Sequence, residues 1–362
     1  MFAPRTFAAG DQFLAYVGTY THEESKGIYA YRFDASTGKL STIGLVAEVE
    51  HPSFVTIHPN RNFLYAVSET DDGTLVSYAI DHATGKLTKI NSVSAKGGWP
   101  CHISVDSTGG TLAVANYTTG NVAAFPINSD GSLGEASAFD QHQPEEYEGR
   151  RQPGPLAHSA DFSPDNRFLV TSDKGVDKLF VYRFDARASS LTPSDPAFLR
   201  IDPGSGPRHF AFHPSARWAY GNNESSSTLN AYSWDGAKGV LAKMQTLSTL
   251  PEGYSGRNST AESEVHPSGK FVYVSNRGHN SIALFSIDQE TGTVTLEDHF
   301  PTQGKTPRNF AIDPTGQYIL AANQRSDDIF VFRVDAETGR LTPTGESVST
   351  DAPVCIKFVA LD

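Results

Sequence analysis

Two sets of ionisable residues recur at fixed distances from one kind of turn. Six short apolar runs end in turns anchored at Pro59, Ser107, Pro164, Pro214, Pro267 and Pro314. Six and five residues before these anchors stand Ser53-Phe54, Cys101-His102, His158-Ser159, Arg208-His209, Ala261-Glu262 and Arg308-Asn309. Ten residues after them stand Glu69, Tyr117, Lys174, Glu224, Arg277 and Gln324. Three arginines, three histidines and three glutamates thus share equivalent positions. Guanidinium groups hold carboxylates or phosphates bidentately, or stabilise a developing oxyanion. A histidine or carboxylate among them can take a proton from water or return one. Ionisable groups gathered in a confined space are costly unless paired, so such a set needs a reason.

The elements that position these residues are short strands. The stretch Thr260–Leu296 shows the pattern: a first strand ends at His266-Pro267, then come Phe271–Ser275, a polar loop, Ile282–Ile287 and a Thr-Gly turn into a fourth strand. Four strands in about forty residues, with no helical period, describe one propeller blade. The anchors are spaced 48, 57, 50, 53 and 47 residues apart, and each begins the same sequence of runs. The N-terminus adds FLAYVGTY and GIYAYRFDASTGKL, a second and third strand without a first; the C-terminus adds PVCIKFV, a first strand with nothing after it. Joined, they make a seventh blade and leave no free sheet edge. The expectation is an all-β, seven-bladed β-propeller of four-stranded antiparallel blades, closed by the C-terminal strand joining the N-terminal blade. Residues 13–362 form that single domain and residues 1–12 an N-terminal extension.

In a propeller the innermost strands line a central channel, and starts of first strands share a rim with ends of second strands. Both ionisable sets therefore fall on one funnel, with Tyr20 as the split blade's contribution. His58, His213 and His266 fall beside the anchors at the opposite rim, where a structural role is expected. Two joints, Gln141–Pro155 and Leu250–Thr260, are long; long loops on a rigid scaffold often carry function.

Bulk composition bounds the partners. The chain has 362 residues, 38% of them hydrophobic, with 31 Gly and 21 Pro, which suits many tight turns. Its 41 acidic residues outnumber 29 basic ones, for a formal charge of −12. A nucleic-acid partner would want the opposite balance, so an anionic ligand must be met by a local basic cluster. Two cysteines, Cys101 and Cys355, are too few for a disulfide framework; they fall in blades two apart on the ring and read as buried free thiols. No apolar run approaches a membrane span. There is no GxSxG, HExxH, Walker or GxGxxG motif, and no histidine spacing asks for a metal. The expectations are no metal, no cofactor, no nucleic acid, no membrane, a monomer or weak homo-oligomer, and a cytoplasmic protein, with export behind a removed signal left open.

Several segments together resemble the seven-bladed lactonase family, which includes propeller-type bacterial 6-phosphogluconolactonases and the fungal carboxy-cis,cis-muconate cyclase. They are YVGTYT from Tyr16, Arg151-Gln152 with Ala157–Ser159, GPRHFAFHP (Gly206–Pro214), TLPEGYSG (Thr249–Gly256), SNRGHNSIALF (Ser275–Phe285) and PRNFAIDPTG (Pro307–Gly316). The resemblance implies a catalytic set of His158, Arg208, Glu224 and Arg277, with His158 and Glu224 as acid/base pair and the arginines as anion or oxyanion binders. His102, His209, Glu262, Arg308 and Glu69 would complete binding of a small anionic sugar lactone, most simply 6-phosphoglucono-1,5-lactone. Leu156 stands where the family pattern leads one to expect a second histidine. Two other readings stay open: a cyclase-like enzyme making or opening a lactone, and a non-catalytic propeller that binds a small acid or a protein.

Overall fold

The computed structural model describes residues 11–22, 24–144, 146–147, 150–151 and 154–361, and among them it contains strands and turns but no helix. Seven four-stranded antiparallel sheets form the blades of a β-propeller. Blade 1 runs outward from Pro353–Ala360 through Gln12–Thr19 and Gly27–Asp34 to Lys39–Glu48, so the two chain ends close the ring as expected. The C-terminal strand pairs with the first strand from Phe13↔Ala360 to Thr19↔Pro353. Gly18 sits at this closure because a Cβ there would meet the Pro52 carbonyl oxygen at 2.3 Å. The first strands of blades 2 to 7 are Val55–Ile57, Pro100–Val105, Ala157–Phe162, Pro207–Phe212, Ser259–Val265 and Pro307–Ile312. Each touches the first strands of its neighbours all the way round, which makes them the channel wall.

The repeated turns have a packing reason. The glycine of the turn between one blade's third and fourth strands lies under an aromatic ring of the blade before it: Gly38 on Tyr318, Gly131 on Phe63, Gly239 on Phe168, Gly292 on Trp218 and Gly339 on Phe271. Buried tyrosine hydroxyls donate across the same joints, Tyr65 to Gly131 O at 3.1 Å and Tyr273 to Gly339 O at 2.7 Å. The anchor histidines do the same at the far rim. Nε2 of His58, His213 and His266 lies 2.9, 2.8 and 2.8 Å from the carbonyl oxygens of Gly109, Gly269 and Gly316. Their role is to tie blade to blade. Cys101 and Cys355 are buried free thiols.

Of the extension expected over residues 1–12, residues 1–10 lie outside the described residues, and the first strand starts at Gln12. Of Gln141–Pro155, residues 145, 148–149 and 152–153 (Gln152 of the resemblance among them) also lie outside; Glu146–Tyr147 pairs with Arg150–Arg151 in a two-stranded sheet.

One irregularity matters for function. In six blades the pairing of first with second strand shifts register near the start of the first strand. In blade 5, Arg208 and His209 together oppose Asn222 alone, between the pairs Pro207↔Asn223 and Phe210↔Gly221. A regular strand would send successive side chains to opposite faces. A bulge leaves one residue unpaired and re-aims it. The freed backbone N–H groups are satisfied by second-strand side chains, His209 N–H by Asn222 Oδ1 at 3.2 Å and Glu262 N–H by Ser275 Oγ at 3.0 Å.

Candidate active site

A repeated backbone bond builds the rim. In six blades the residue after the second strand donates its N–H to a carbonyl ahead of the first strand: Tyr20 to Ala352, Glu69 to His51, Tyr117 to Trp99, Lys174 to Leu156, Glu224 to Gly206 and Gln324 to Thr306. The side chains on this rim, together with the re-aimed residues of the first strands, enclose a cavity of about 210 Å³. Glu69, His158, Glu224, Arg277 and Arg308 line it, with Tyr20, Trp99, Cys101 and Tyr117.

Glu224 is the hub. Its Oε1 accepts from Lys174 Nζ at 2.5 Å, while Oε2 lies 3.1 Å from both Arg208 Nε and Arg277 Nη2. Burial alone would raise its pKa, but the charges of Arg208, Arg277 and Lys174 overcome that and hold the carboxyl at about 2. Glu224 is therefore ionised across the whole neutral range. Arg208 is buried behind it, donating Nη1 to Ala261 O at 2.6 Å. Arg277 donates Nη2 to Thr260 O at 2.9 Å, and its Nε is buried without a partner. Burial and the neighbouring Arg208 and Arg308 pull the Arg277 pKa down; a guanidinium stays charged even so.

On the opposite side, Arg308 lies over the Tyr20 ring at 5.1 Å and donates Nη2 to Tyr20 Oη at 2.8 Å. That hydroxyl donates onward to Glu69 Oε2 at 2.9 Å. Burial raises the Glu69 pKa, with Arg308 acting against it. His158 is buried, with its Nδ1 3.8 Å from the Cys101 thiol. Burial first, then Arg208 and His209, hold its pKa well below the ordinary histidine value, so the imidazole is neutral. Four cations (Lys174, Arg208, Arg277, Arg308) thus surround two carboxylates, and a neutral imidazole stands beside them.

His102, His209 and Glu262 do not line this cavity. They face a second one of about 330 Å³, further along the first strands, shared with Asp161, Glu264 and Lys357. The rings of Phe54, His102, His209 and His158 stand 4.3 to 5.4 Å apart in succession, the first three lining the second space and His158 the first. His209 still serves the first. Its Nδ1 donates to Glu262 Oε1 at 2.7 Å and its Nε2 accepts from Arg208 Nη1 at 3.2 Å. Glu262 is fixed in turn by Ser263 N–H at 3.0 Å and by Asn309, whose Oδ1 takes the Ile356 N–H at 2.9 Å. In the second cavity burial pushes Asp161 and Glu264 up to about 7. Burial lowers Lys357, but Cys355, Glu264, Glu262 and Asp161 raise it further, so the ammonium persists.

The first cavity therefore gathers His158, Glu224, Arg277, Arg308 and Glu69, with Arg208 held behind Glu224, and excludes His102, His209 and Glu262 from direct contact. Sequence reasoning passed over Trp99 in the first cavity and Asp161, Glu264 and Lys357 in the second, and gave Cys101, though in the funnel register, no part in the site. Asp161 and Glu264 share a legible signal, a carboxylate three residues before the anchor. Among the described residues, no group of histidines, cysteines and carboxylates could hold a metal ion, and no helix is long and apolar enough to cross a membrane.

A family model described as lactonase, seven-bladed β-propeller, matches residues 14–358. The chain is 36% identical over 352 residues to the 6-phosphogluconolactonase of Bacillus subtilis, covering 96% of this chain and 99% of that one. It is 35% identical over 308 residues to the 6-phosphogluconolactonase of Formosa agariphila, covering 82% and 86%. Among solved structures, the periplasmic gluconolactonase of Pseudomonas aeruginosa matches with a TM-score of 0.91 at 34% identity, covering 97% of this chain and 100% of that one.

Proposed function

The chain belongs to the seven-bladed β-propeller lactonase family and is a sugar lactone hydrolase, and we propose that its substrate is 6-phosphoglucono-1,5-lactone, opened to 6-phosphogluconate in the Glu224 cavity. The observation that carries the phosphorylated substrate is the charge balance there: Arg277 and Arg308 on the cavity wall, with Lys174 and Arg208 paired to Glu224, against Glu224 and Glu69. A dianionic phosphate offsets that excess, and guanidinium forks suit its oxygens.

Hydrolysis adds water across the bond between C1 and the ring oxygen. The neutral His158 takes a proton from the water as its oxygen bonds to C1. Arg277 stabilises the negative charge that builds on the carbonyl oxygen. As the bond to the ring oxygen breaks, the imidazolium returns its proton to that oxygen, leaving a carboxylic acid and a hydroxyl. Glu224 trades no proton in this scheme. Its ionised carboxylate, held at about 2 by three cations, positions Arg208 and Arg277, which replaces the acid/base role expected from the sequence. Arg308 and Tyr20, joined at 2.8 Å, take the phosphate side of the substrate.

The test is initial rates on a panel of sugar lactones, phosphorylated and not, corrected for spontaneous hydrolysis. A kcat/KM at least tenfold higher for 6-phosphoglucono-1,5-lactone than for glucono-1,5-lactone supports the reading; equal values overturn the phosphate assignment.

A further inference from the structure

Lactone substrates carry a pyranose-like ring as well as charge, and nothing above provides for that ring. Three aromatic side chains line the cavity, Tyr20, Tyr117 and Trp99. Two are already engaged. Arg308 covers the face of Tyr20 at 5.1 Å. Lys174 lies over Tyr117 at 5.9 Å, and the His158 ring meets Tyr117 edge-on at 5.5 Å. Trp99 has no ring or cation against it among the described residues, and it is 41% exposed.

Its position is nonetheless tightly set. The indole Nε1 donates to Asp71 Oδ1 at 2.7 Å, which fixes the ring plane from its far edge. The Trp99 N–H donates to Thr70 O at 2.8 Å, and its carbonyl accepts from Tyr117 N–H at 2.9 Å. The backbone is left-handed, with φ of 53°. That conformation belongs to the fold, since His51, Gly206, Thr306 and Ala352 adopt it at the same point of their blades. The tryptophan is particular to this blade. The preceding Gly97 allows the close approach: a Cβ there would meet Asn121 Oδ1 at 2.5 Å and Asn116 Cβ at 2.7 Å. A large aromatic face, held rigid by a polar handle at its rim and left open to a cavity, loses little freedom when it takes a ligand.

We propose that Trp99 is the platform on which the sugar lactone ring stacks, a specificity-determining residue for cyclic polyol substrates. This rests on the lactonase reading above. It assigns the C–H face of the ring to the indole, while the arginines take charge.

The experiment uses the full chain and its intrinsic fluorescence. Of the three tryptophans, Trp218 and Trp234 are only 5% and 6% exposed, so a contact signal from the cavity comes from Trp99. Titration with glucose 6-phosphate, a stable pyranose carrying the same phosphate, should change the emission of the parent and leave that of Trp99→Phe unchanged. In kinetics, Trp99→Ala should raise KM about tenfold with kcat within threefold, and Trp99→Phe should keep most of the parent KM. Asp71→Ala, which leaves the indole in place but unanchored, should fall between them. An unchanged KM in Trp99→Ala, or a ligand response that survives in Trp99→Phe, overturns the proposal. A parent enzyme that turns over no sugar lactone above background overturns the substrate reading instead, while the fluorescence arm still decides whether a pyranose ring meets the indole.

Discussion

Nδ1 of His209 donates to Oε1 of Glu262 at 2.7 Å, and this bond decides which nitrogen faces Arg208. With the proton on Nδ1, Nε2 is an acceptor, and Arg208 Nη1 meets it at 3.2 Å. Burial and the nearby Arg208 keep the imidazole neutral, as that arrangement requires. The order is Glu262, His209, Arg208, Glu224: two carboxylates hold one guanidinium from both sides, the first through an imidazole.

Glu262→Gln should therefore act on the reaction without touching substrate. The amide competes for donors that the carboxylate accepted, and Arg208 loses its fixed direction. We expect kcat to fall by about 10²-fold, the order that a misplacement of about 1 Å can cost, with KM within threefold. Steady-state kinetics on 6-phosphoglucono-1,5-lactone reads the split. A rise in KM alone would make Glu262 a binding residue.

Glu224→Gln should lose both activity and acid-linked stability. The folded pKa of about 2 lies below the ordinary glutamate value of 4.5, so the contribution is present above pH 4.5 and is lost as pH falls toward 2. The full shift corresponds to about 3 kcal/mol. Denaturant unfolding from pH 7 to pH 3 should fall less steeply in the variant than in the parent. Parallel curves would show that the three cations do not hold that carboxylate.

Much of this was legible in the sequence, and the misplaced first-strand residues have one cause. The rim residues Glu69, Lys174, Glu224 and Arg277 follow from register alone, because each stands ten residues after its blade's anchor, at the end of the second strand. His158 and Arg308 are also where register puts them. Positions one residue on, His102, His209 and Glu262, were expected on the same funnel and lie instead in the second cavity. The pairing shifts at the start of the first strands decide this, since they re-aim one residue and leave the next pointing along the channel. No residue pattern announces a bulge of that kind. Trp99 escaped because it precedes the strand and belongs to no repeated apolar run.

Asp161→Asn should stabilise the protein in mild alkali. Asp161 Oδ2 is buried without a partner, and burial raises the carboxyl from 3.8 to about 7. A raised carboxyl pKa gives a contribution that is full below pH 3.8 and is lost as pH rises through 7. The variant should gain about 1 kcal/mol or more over the parent at pH 8 and nothing at pH 4. Equal gains at both values would point to packing rather than charge.

The acid limb of the rate profile should lie low. His158 titrates well below 6.5, so its basic form persists through mildly acidic pH. We expect kcat/KM, corrected for spontaneous hydrolysis, to be flat from pH 8 to pH 6. His158→Ala should lose about 10²- to 10⁴-fold at every pH in that range. A limb near pH 6.5 in the parent would remove His158 as the base.

The central claim is that cations organised by Glu224 stabilise the opening of an anionic lactone. Turnover of 6-phosphoglucono-1,5-lactone by the parent and by Arg277→Ala, each measured against the spontaneous rate, tests it most directly. The parent should run far above background and the variant should lose about 10²- to 10³-fold in kcat. A variant that matches the parent would contradict the claim.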